Sequence, residues 1–120
     1  MLIRRAKNKD INFLFNLYNF YVTKKLFSSI KKVKYLDHKK WYKNYVESNH
    51  TYIYVASIKN VNIGYVSFKN LKKNIYEVSL ALKQSYVGFG LGSKMLHKSI
   101  GKFRLKSKFD IFAKVKKKKY

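Results

Sequence analysis

The chain has 120 residues, a formal net charge of +23, and neither cysteine nor proline. A disulfide scaffold and a cysteine-ligated zinc site are therefore excluded, and 47% hydrophobic with 18% aromatic residues exclude a disordered basic tail. No apolar stretch is long enough to cross a bilayer, and the basic N-terminus lacks the apolar region of a signal peptide. We expect one domain over residues 1–120 in the cytoplasm, with no membrane partner.

The charge has two interpretations. A surface this positive binds phosphate polymers at low salt, which favours a small basic nucleic-acid-binding protein. However, all 28 basic residues except Arg4, Arg5 and Arg104 are lysine, and arginine makes most bidentate contacts to bases and phosphates. Lys, Asn, Ile, Tyr and Phe are abundant and have A/T-rich codons, so biased composition accounts for the charge. We expect no specific nucleic-acid partner and keep nucleic-acid binding as the alternative.

The N-terminal third predicts a strand and two helices. Leu2–Ala6 is a short apolar-basic strand, and Asp10 can cap the helix that follows it. The apolar residues of that helix recur every three or four positions: Ile11, Phe13, Leu14, Leu17, Tyr18 and Tyr21. Asp37 is a second candidate cap, and it opens a helix that contains His38 and Trp41.

The middle of the chain changes to the alternating pattern of β-strands. Three strands are predicted, Thr51–Ile58, Ile63–Phe68 and Ile75–Leu82, each rich in β-formers. Polar turns over Lys59–Asn62 and Asn70–Asn74 separate them. Short connections of this kind are typical of an antiparallel meander.

A helix over Ser93–Phe103 and a strand over Lys108–Val115 complete the order β-α-α-β-β-β-α-β. The predicted class is α/β (α+β), with a mixed, mostly antiparallel sheet flanked by helices on both faces. Since a helix joins the last two strands, we expect those strands to be parallel.

Glycines at alternate positions, Gly88, Gly90 and Gly92, lie between the third meander strand and the last helix. Glycines let the backbone approach a ligand closely, and free N–H groups at a helix start bind anions. The dinucleotide pattern G-x-G-x-x-G fails, because its third glycine falls on Ser93 or Met95. The P-loop sequence Gly-Lys-Ser/Thr is also absent. A phosphate-binding turn and a merely sharp turn both stay open on these residues alone.

The stretch Glu77–Leu96, EVSLALKQSYVGFGLGSKML, resembles the acetyl-CoA-binding segment of the GNAT superfamily of N-acetyltransferases. The family pattern Gln/Arg-x-x-Gly-x-Gly/Ala falls on Val87, Gly90 and Gly92. Upstream, HKKWYKNYV and IYVASIKNVNIGYVSFKN look like the N-terminal half of sugar-nucleotide and similar small-amine members. The resemblance covers essentially the whole chain and implies an acyl-CoA N-acyltransferase-like fold.

The resemblance implies acetyl-CoA as co-substrate, with its pyrophosphate on the backbone N–H groups of Gly88–Ser93. The pantetheine arm would follow the Ile75–Leu82 strand, a strand amide would polarise the thioester carbonyl, and a deprotonated amine would attack. The cofactor-binding residues implied in this way are Leu80, Ala81, Leu82, Val87, Gly88, Phe89, Gly90, Leu91, Gly92 and Ser93.

The acceptor implied by the resemblance is a primary amine of a small molecule, with an amino-sugar nucleotide favoured. Glu77 is the candidate general base, and its alternative role is charge partner of a lysine. His38 and Trp41 are candidate acceptor-pocket residues, with a helix cap and a core position as their alternatives. His50 and His97 have no metal-ligand spacing, so no metal is expected.

The sequence departs from the family at two places. Val87 stands where Gln or Arg is usual. The family also continues past the strand at Lys108–Val115 with a helix and two strands that often hold a general-acid Tyr, whereas Tyr120 is in the wrong context for that role. We therefore expect a C-terminally truncated member with the last elements missing, weakly active or inactive. A sheet without its last strands has an unpaired edge. Two outcomes are then open: aggregation, or completion of the sheet by a second copy in a homodimer.

Overall fold

The computed structural model describes residues 1–23, 40, 51–72, 75–106 and 110–113. The described elements, in chain order, are β1 (Leu2–Arg5), a 3-10 turn (Asn8–Asp10), α1 (Ile11–Thr23), β2 (Thr51–Ile58), β3 (Val61–Lys72), β4 (Ile75–Leu82), a second 3-10 turn (Gln84–Tyr86), α2 (Leu91–Lys106) and β5 (Asp110–Ala113).

The strands form a sheet in the order β1-β2-β3-β4-β5. β1 to β4 pair antiparallel with their neighbours, and β5 pairs parallel with β4, as the helix between them predicts. The predicted meander and the mixed, mostly antiparallel sheet are therefore confirmed. The helix predicted from Asp37, with His38 and Trp41, lies outside the described residues. The end of the chain lies there too, so the expectations about the single domain and its truncation stay predictions.

The bounds of β3 and α2 differ from those predicted from the sequence. The turn after β2 consists only of Lys59 and Asn60, whose φ angles of 51° and 66° suit a tight two-residue hairpin. β3 therefore starts at Val61 and continues through Asn70 to Lys72, into the segment predicted as a turn. α2 is also longer than Ser93–Phe103. In β3 the alternating burial ends at Phe68, while the backbone pairing continues through the mostly exposed residues Lys69–Lys72.

One face of the sheet packs against α1. Its cluster contains residues from α1, β2, β3 and β4 that alternate along each strand, as one sheet face requires. The buried members are Ala6, Ile11, Leu14, Leu17, Tyr21, Ile53, Val55, Tyr65 and Ala81. Its β4 member is Ala81, the last but one residue of that strand.

The opposite face packs against α2 and is aromatic. Phe103 of α2 stacks on Phe68 of β3 with centroids 4.5 Å apart, and Tyr52 and Tyr76 meet Phe103 edge to face. Such pairs add to the burial of their area. The buried members of this face are Ile3, Tyr54, Ala56, Ile63, Val66, Phe68, Tyr76, Val78, Leu82, Met95 and Phe103. The prediction of helices on both faces is confirmed.

An ion pair ties the start of α1 to β1. Arg4 donates to both carboxylate oxygens of Asp10 at 2.7 and 2.8 Å, and the Lys7 N–H donates to the same carboxylate at 2.7 Å. Asp10 is only 2% exposed. Burial alone would raise the pKa of Asp10, but the hydrogen bonds from Arg4 and Lys7 and the charges of Arg4 and Lys9 outweigh it and lower the pKa.

Candidate active site

The segment between β4 and α2 exposes a run of backbone donors. Gly88 and Gly90 have φ angles of 94° and 74°, in the left-handed region that glycine tolerates best. The first helical bond of α2 runs from the Lys94 N–H to the Gly90 carbonyl. Within the described part of the chain, the N–H groups of Gly88–Ser93 have no hydrogen-bond acceptor. We call this segment the cradle, and with the α2 dipole behind it, it favours an anion.

The space over the cradle is open. A Cβ added at Gly88 or Gly90 meets no heavy atom within 4 Å, so backbone conformation and not crowding requires glycine there. A Cβ at Gly92 would come 3.9 Å from the Cδ1 atom of Leu80, an ordinary contact. A ligand can therefore approach the backbone of the cradle closely where a side chain would otherwise stand.

A cleft of about 260 Å³ joins the cradle to the end of β4. The residues that line it are Tyr21, Leu80, Ala81, Leu82, Val87, Gly88, Gly90, Leu91 and Gly92. Phe89 and Ser93 are exposed and do not line it. The structure thus brings the other predicted cofactor residues into one concave site, including Val87, which also packs against the α2-side cluster.

β4 is paired differently along its two halves. β3 pairs with the whole of β4, but the described residues of β5 pair only with Ile75–Val78. On its β5 side, the half Ser79–Leu82 has no strand partner among the residues that the structure describes. This half can therefore offer backbone N–H and C=O groups to an extended ligand.

Tyr21 is a cleft residue that sequence reasoning did not assign to the site. Its hydroxyl donates to the Leu82 carbonyl, and its side chain is only 4% exposed. The contact joins the last turns of α1 to the end of β4. The helical spacing indicated only a core position for Tyr21, because nothing in sequence reveals a bond to a residue 61 positions away.

Tyr65 also lies on the α1 face, directly opposite Ala81 in the β3–β4 register. It is buried, and burial raises its pKa, with the nearby Tyr18 and Tyr21 adding to the shift. Its hydroxyl therefore stays protonated at physiological pH. Tyr65 can donate a hydrogen bond beside the cleft but cannot serve as a base.

Gly64 is a second residue that sequence reasoning missed. It lies opposite Leu82, next to the irregularity in the β2–β3 register. An added Cβ would sit 2.5 Å from the Ala81 carbonyl oxygen and 2.9 Å from the Met95 Sδ atom. Glycine at this position allows β3, β4 and α2 to approach closely underneath the cleft.

Glu77 is half-buried on β4 and lies on the same face as Ala81, as alternation predicts. Its partner in the β3 register is Lys69, yet Glu77 forms no ion pair with any described residue. It lies about 13 Å from Ala81 along the strand, on the side away from the cradle. This is the direction that an extended ligand arm entering from the cradle would take.

Two further findings concern the described residues only. No group of three or more His, Asp or Glu side chains there could hold a metal ion. No helix in that part of the chain has both the length and the apolar composition to cross a bilayer.

Comparison with known proteins identifies the family. An antiparallel meander followed by a glycine turn, a helix and a parallel strand is the architecture of an acyl-CoA N-acyltransferase-like fold. The model of the acetyltransferase (GNAT) family matches residues 12–117, so the chain belongs to the GNAT family of N-acetyltransferases. The family resemblance and the fold class expected from the sequence are confirmed.

Solved structures share the fold. The ribosomal-protein-alanine N-acetyltransferase of Brucella melitensis has a TM-score of 0.82 and 22% identity, over 94% of this chain and 73% of its own. An N-acetyltransferase of Staphylococcus aureus has a TM-score of 0.79 and 22% identity, over 93% and 71%. The yncA protein of Salmonella typhimurium, solved with its cofactor acetyl-CoA, has a TM-score of 0.79 and 24% identity, over 94% and 68%. A search of curated proteins found no match.

Proposed function

We propose that the protein transfers an acetyl group from acetyl-CoA to the primary amine of a small molecule in the cytoplasm. The observation that carries the proposal is the cradle itself, a run of N–H groups around two left-handed glycines at the start of α2 that donate to no described residue. A pyrophosphate is the anion that such a run of donors suits best. The lining of the adjoining cleft continues along β4, so an arm attached to that anion would have a place to extend.

Acetyl-CoA supplies an acetyl group activated as a thioester. The N–H groups of Gly88–Ser93 would hold its phosphates, and the backbone of Leu80, Ala81 and Leu82 would hold the pantetheine arm. An amide of β4 would polarise the thioester carbonyl, as an oxyanion-type contact. Val87 contributes only packing here, so its difference from the family's Gln or Arg leaves these backbone contacts available.

Glu77 is the proposed general base. Its carboxylate would accept a proton from the substrate ammonium, directly or through a water, so that the neutral nitrogen can attack. The absence of an ion pair between Glu77 and the described residues supports this role over that of a lysine partner. His38 and Trp41 stay candidates for the acceptor pocket, and an amino-sugar nucleotide stays the favoured acceptor on the family resemblance alone.

The proposal is tested by calorimetric titration with acetyl-CoA and by thiol release in the presence of candidate amines. We expect saturable binding at micromolar concentrations, and release that depends on the amine. Glu77→Gln should lower kcat and leave acetyl-CoA affinity unchanged, whereas the control Lys69→Gln should leave both unchanged. No binding of acetyl-CoA well above micromolar concentrations would refute the function, and an unchanged kcat in Glu77→Gln would refute the role of Glu77. Gel filtration of the same preparation tests the homodimer.

Nucleic-acid binding is the second candidate function, and the exposed face of α2 favours it. That helix has no acidic residue, and its exposed cations include Lys94, Lys98, Lys102 and Arg104. Binding of a labelled single strand at rising salt tests this candidate. Tight binding that weakens steeply with salt, together with no response to acetyl-CoA, would favour it over the acetyltransferase.

A further inference from the structure

Phe89, at the tip of the cradle, is unusually exposed. Of the large apolar side chains that the structure describes as exposed, it is the most exposed at 73%, and it is the only aromatic one. Its sequence neighbours behave differently, because Val87 and Leu91 turn inward and pack against the α2-side cluster. The segment therefore buries two of its three large apolar side chains and holds the third in solvent.

The backbone explains how Phe89 is held outward. It stands between Gly88 and Gly90, which both adopt left-handed conformations. Those two glycines line the cleft and Phe89 does not. The backbone at this point therefore faces the cleft, while the aromatic ring stands at its rim.

The chemistry of the cofactor indicates what reaches this rim. In acetyl-CoA the pyrophosphate links two different parts, the pantetheine arm and the adenosine. If the cradle holds the pyrophosphate and the arm runs along β4 towards Glu77, the adenosine has to leave on the other side of the cradle. Phe89 lies between two glycines that line the cleft and is itself exposed, and Lys94, one turn into α2, is exposed as well.

We propose that Phe89 is the stacking platform for the adenine of acetyl-CoA, a subsite distinct from the backbone cradle. The proposal rests on the proposed function, because it assumes that the cradle binds the cofactor's pyrophosphate. A nucleobase is flat and its faces are apolar, and aromatic side chains at a phosphate-binding rim bind such faces by stacking. Stacking would remove the most exposed of the described apolar side chains from water when the cofactor is bound.

The test compares the binding of two ligands to the protein with and without the aromatic ring of Phe89. The full chain and its Phe89→Ala variant are titrated with CoA and with pantetheine 4′-diphosphate, which keeps the pyrophosphate but lacks the 3′-phosphoadenosine. We expect Phe89→Ala to weaken CoA binding about 5- to 30-fold, in line with the effect of removing one base-stacking aromatic, and to change pantetheine diphosphate binding by less than about twofold. Phe89→Tyr should retain CoA affinity within about threefold. Leu71→Ala, which removes another exposed apolar side chain at the far end of β3, should affect neither ligand.

Tryptophan fluorescence gives a second measurement with the same two ligands. Phe89→Trp adds a second tryptophan to a chain that has one, Trp41, and stacking against adenine should quench the new fluorescence on addition of CoA but not of pantetheine diphosphate. Unchanged CoA affinity in Phe89→Ala, or equal weakening of both ligands, would overturn the proposal and leave the proposed function standing. Failure of the unmodified chain to bind CoA would overturn both.

Discussion

In the meander β2–β4, side chains determine the structure, whereas in the segment Lys83–Ser93 that follows it, the backbone determines the chemistry. The meander strands alternate between the α1 face and the aromatic α2 face, and most of their buried residues are there for packing. The following segment buries little, and it contains two left-handed glycines and, from Gly88 to Ser93, N–H groups that donate to no described residue. The meander therefore depends on side-chain packing, while the site depends on a few backbone conformations.

The largest effect is expected from a substitution that disturbs the backbone conformation of the cradle. Gly90→Val places a β-branched side chain at a φ of 74° and fills the open space over the cradle. We expect acetyl-CoA affinity to fall by about 100-fold, which corresponds to about 3 kcal/mol of strain and lost contact. Calorimetry measures it, and the matched control is Gly101→Ala, since Gly101 has ordinary φ and open surroundings on α2. Equal affinities in the two variants would contradict the cradle.

The next largest effect is expected from a substitution that disturbs packing in the meander. Gly64→Ala would drive a Cβ within 2.5 Å of the Ala81 carbonyl, and a backbone atom cannot yield easily. We expect the free energy of unfolding to fall by about 3 kcal/mol, as for overpacking of a core. Urea denaturation of Gly64→Ala and Gly101→Ala gives the comparison. If Gly64→Ala is as stable as Gly101→Ala, β3 and β4 can move apart at this point without a loss of stability, which contradicts the prediction.

A smaller effect concerns the anchor at the start of α1, far from the cradle. Asp10→Asn should lower stability at neutral pH by about 2 kcal/mol, because it weakens charged hydrogen bonds to a buried carboxylate. Since the folded-state pKa of Asp10 lies below 3.8, this stabilisation is complete above about pH 4 and disappears as the pH falls through that lower value. Urea midpoints of both proteins from pH 7 to pH 2 should converge. A constant difference would mean that the carboxylate charge is not the cause.

The smallest effect lies where the two regions meet. Tyr21→Phe removes only the hydroxyl that donates to the Leu82 carbonyl, so stability should fall by about 1 kcal/mol and acetyl-CoA affinity by about two- to fivefold. Tyr86→Phe is the control, since its hydroxyl bonds to no described residue. If Tyr21→Phe loses stability but keeps its full affinity for acetyl-CoA, Tyr21 stabilises only the core and has no role in the cleft.

Sequence patterns predict the meander well and the site only in part. Alternation places Glu77 and Ala81 on one face correctly, because side-chain period in a strand is fixed by the pleat. Glycine spacing finds the cradle, because left-handed φ angles select glycine. The roles of Tyr21 and Gly64 were not predictable, since both depend on contacts between residues that are distant in sequence. The outward orientation of Phe89 was equally hidden, because composition does not tell which apolar residue of a segment is buried.

The proposed function depends on binding of the acetyl-CoA phosphates by the backbone of Gly88–Ser93. Nuclear magnetic resonance of the ¹⁵N-labelled full chain during titration with acetyl-CoA tests it most directly. We expect the amide signals of Gly88, Gly90 and Gly92 to show the largest shifts, in the downfield direction expected for new hydrogen bonds, and the Gly101 signal to stay unchanged. Saturable binding with shifts that avoid these three glycines would contradict it.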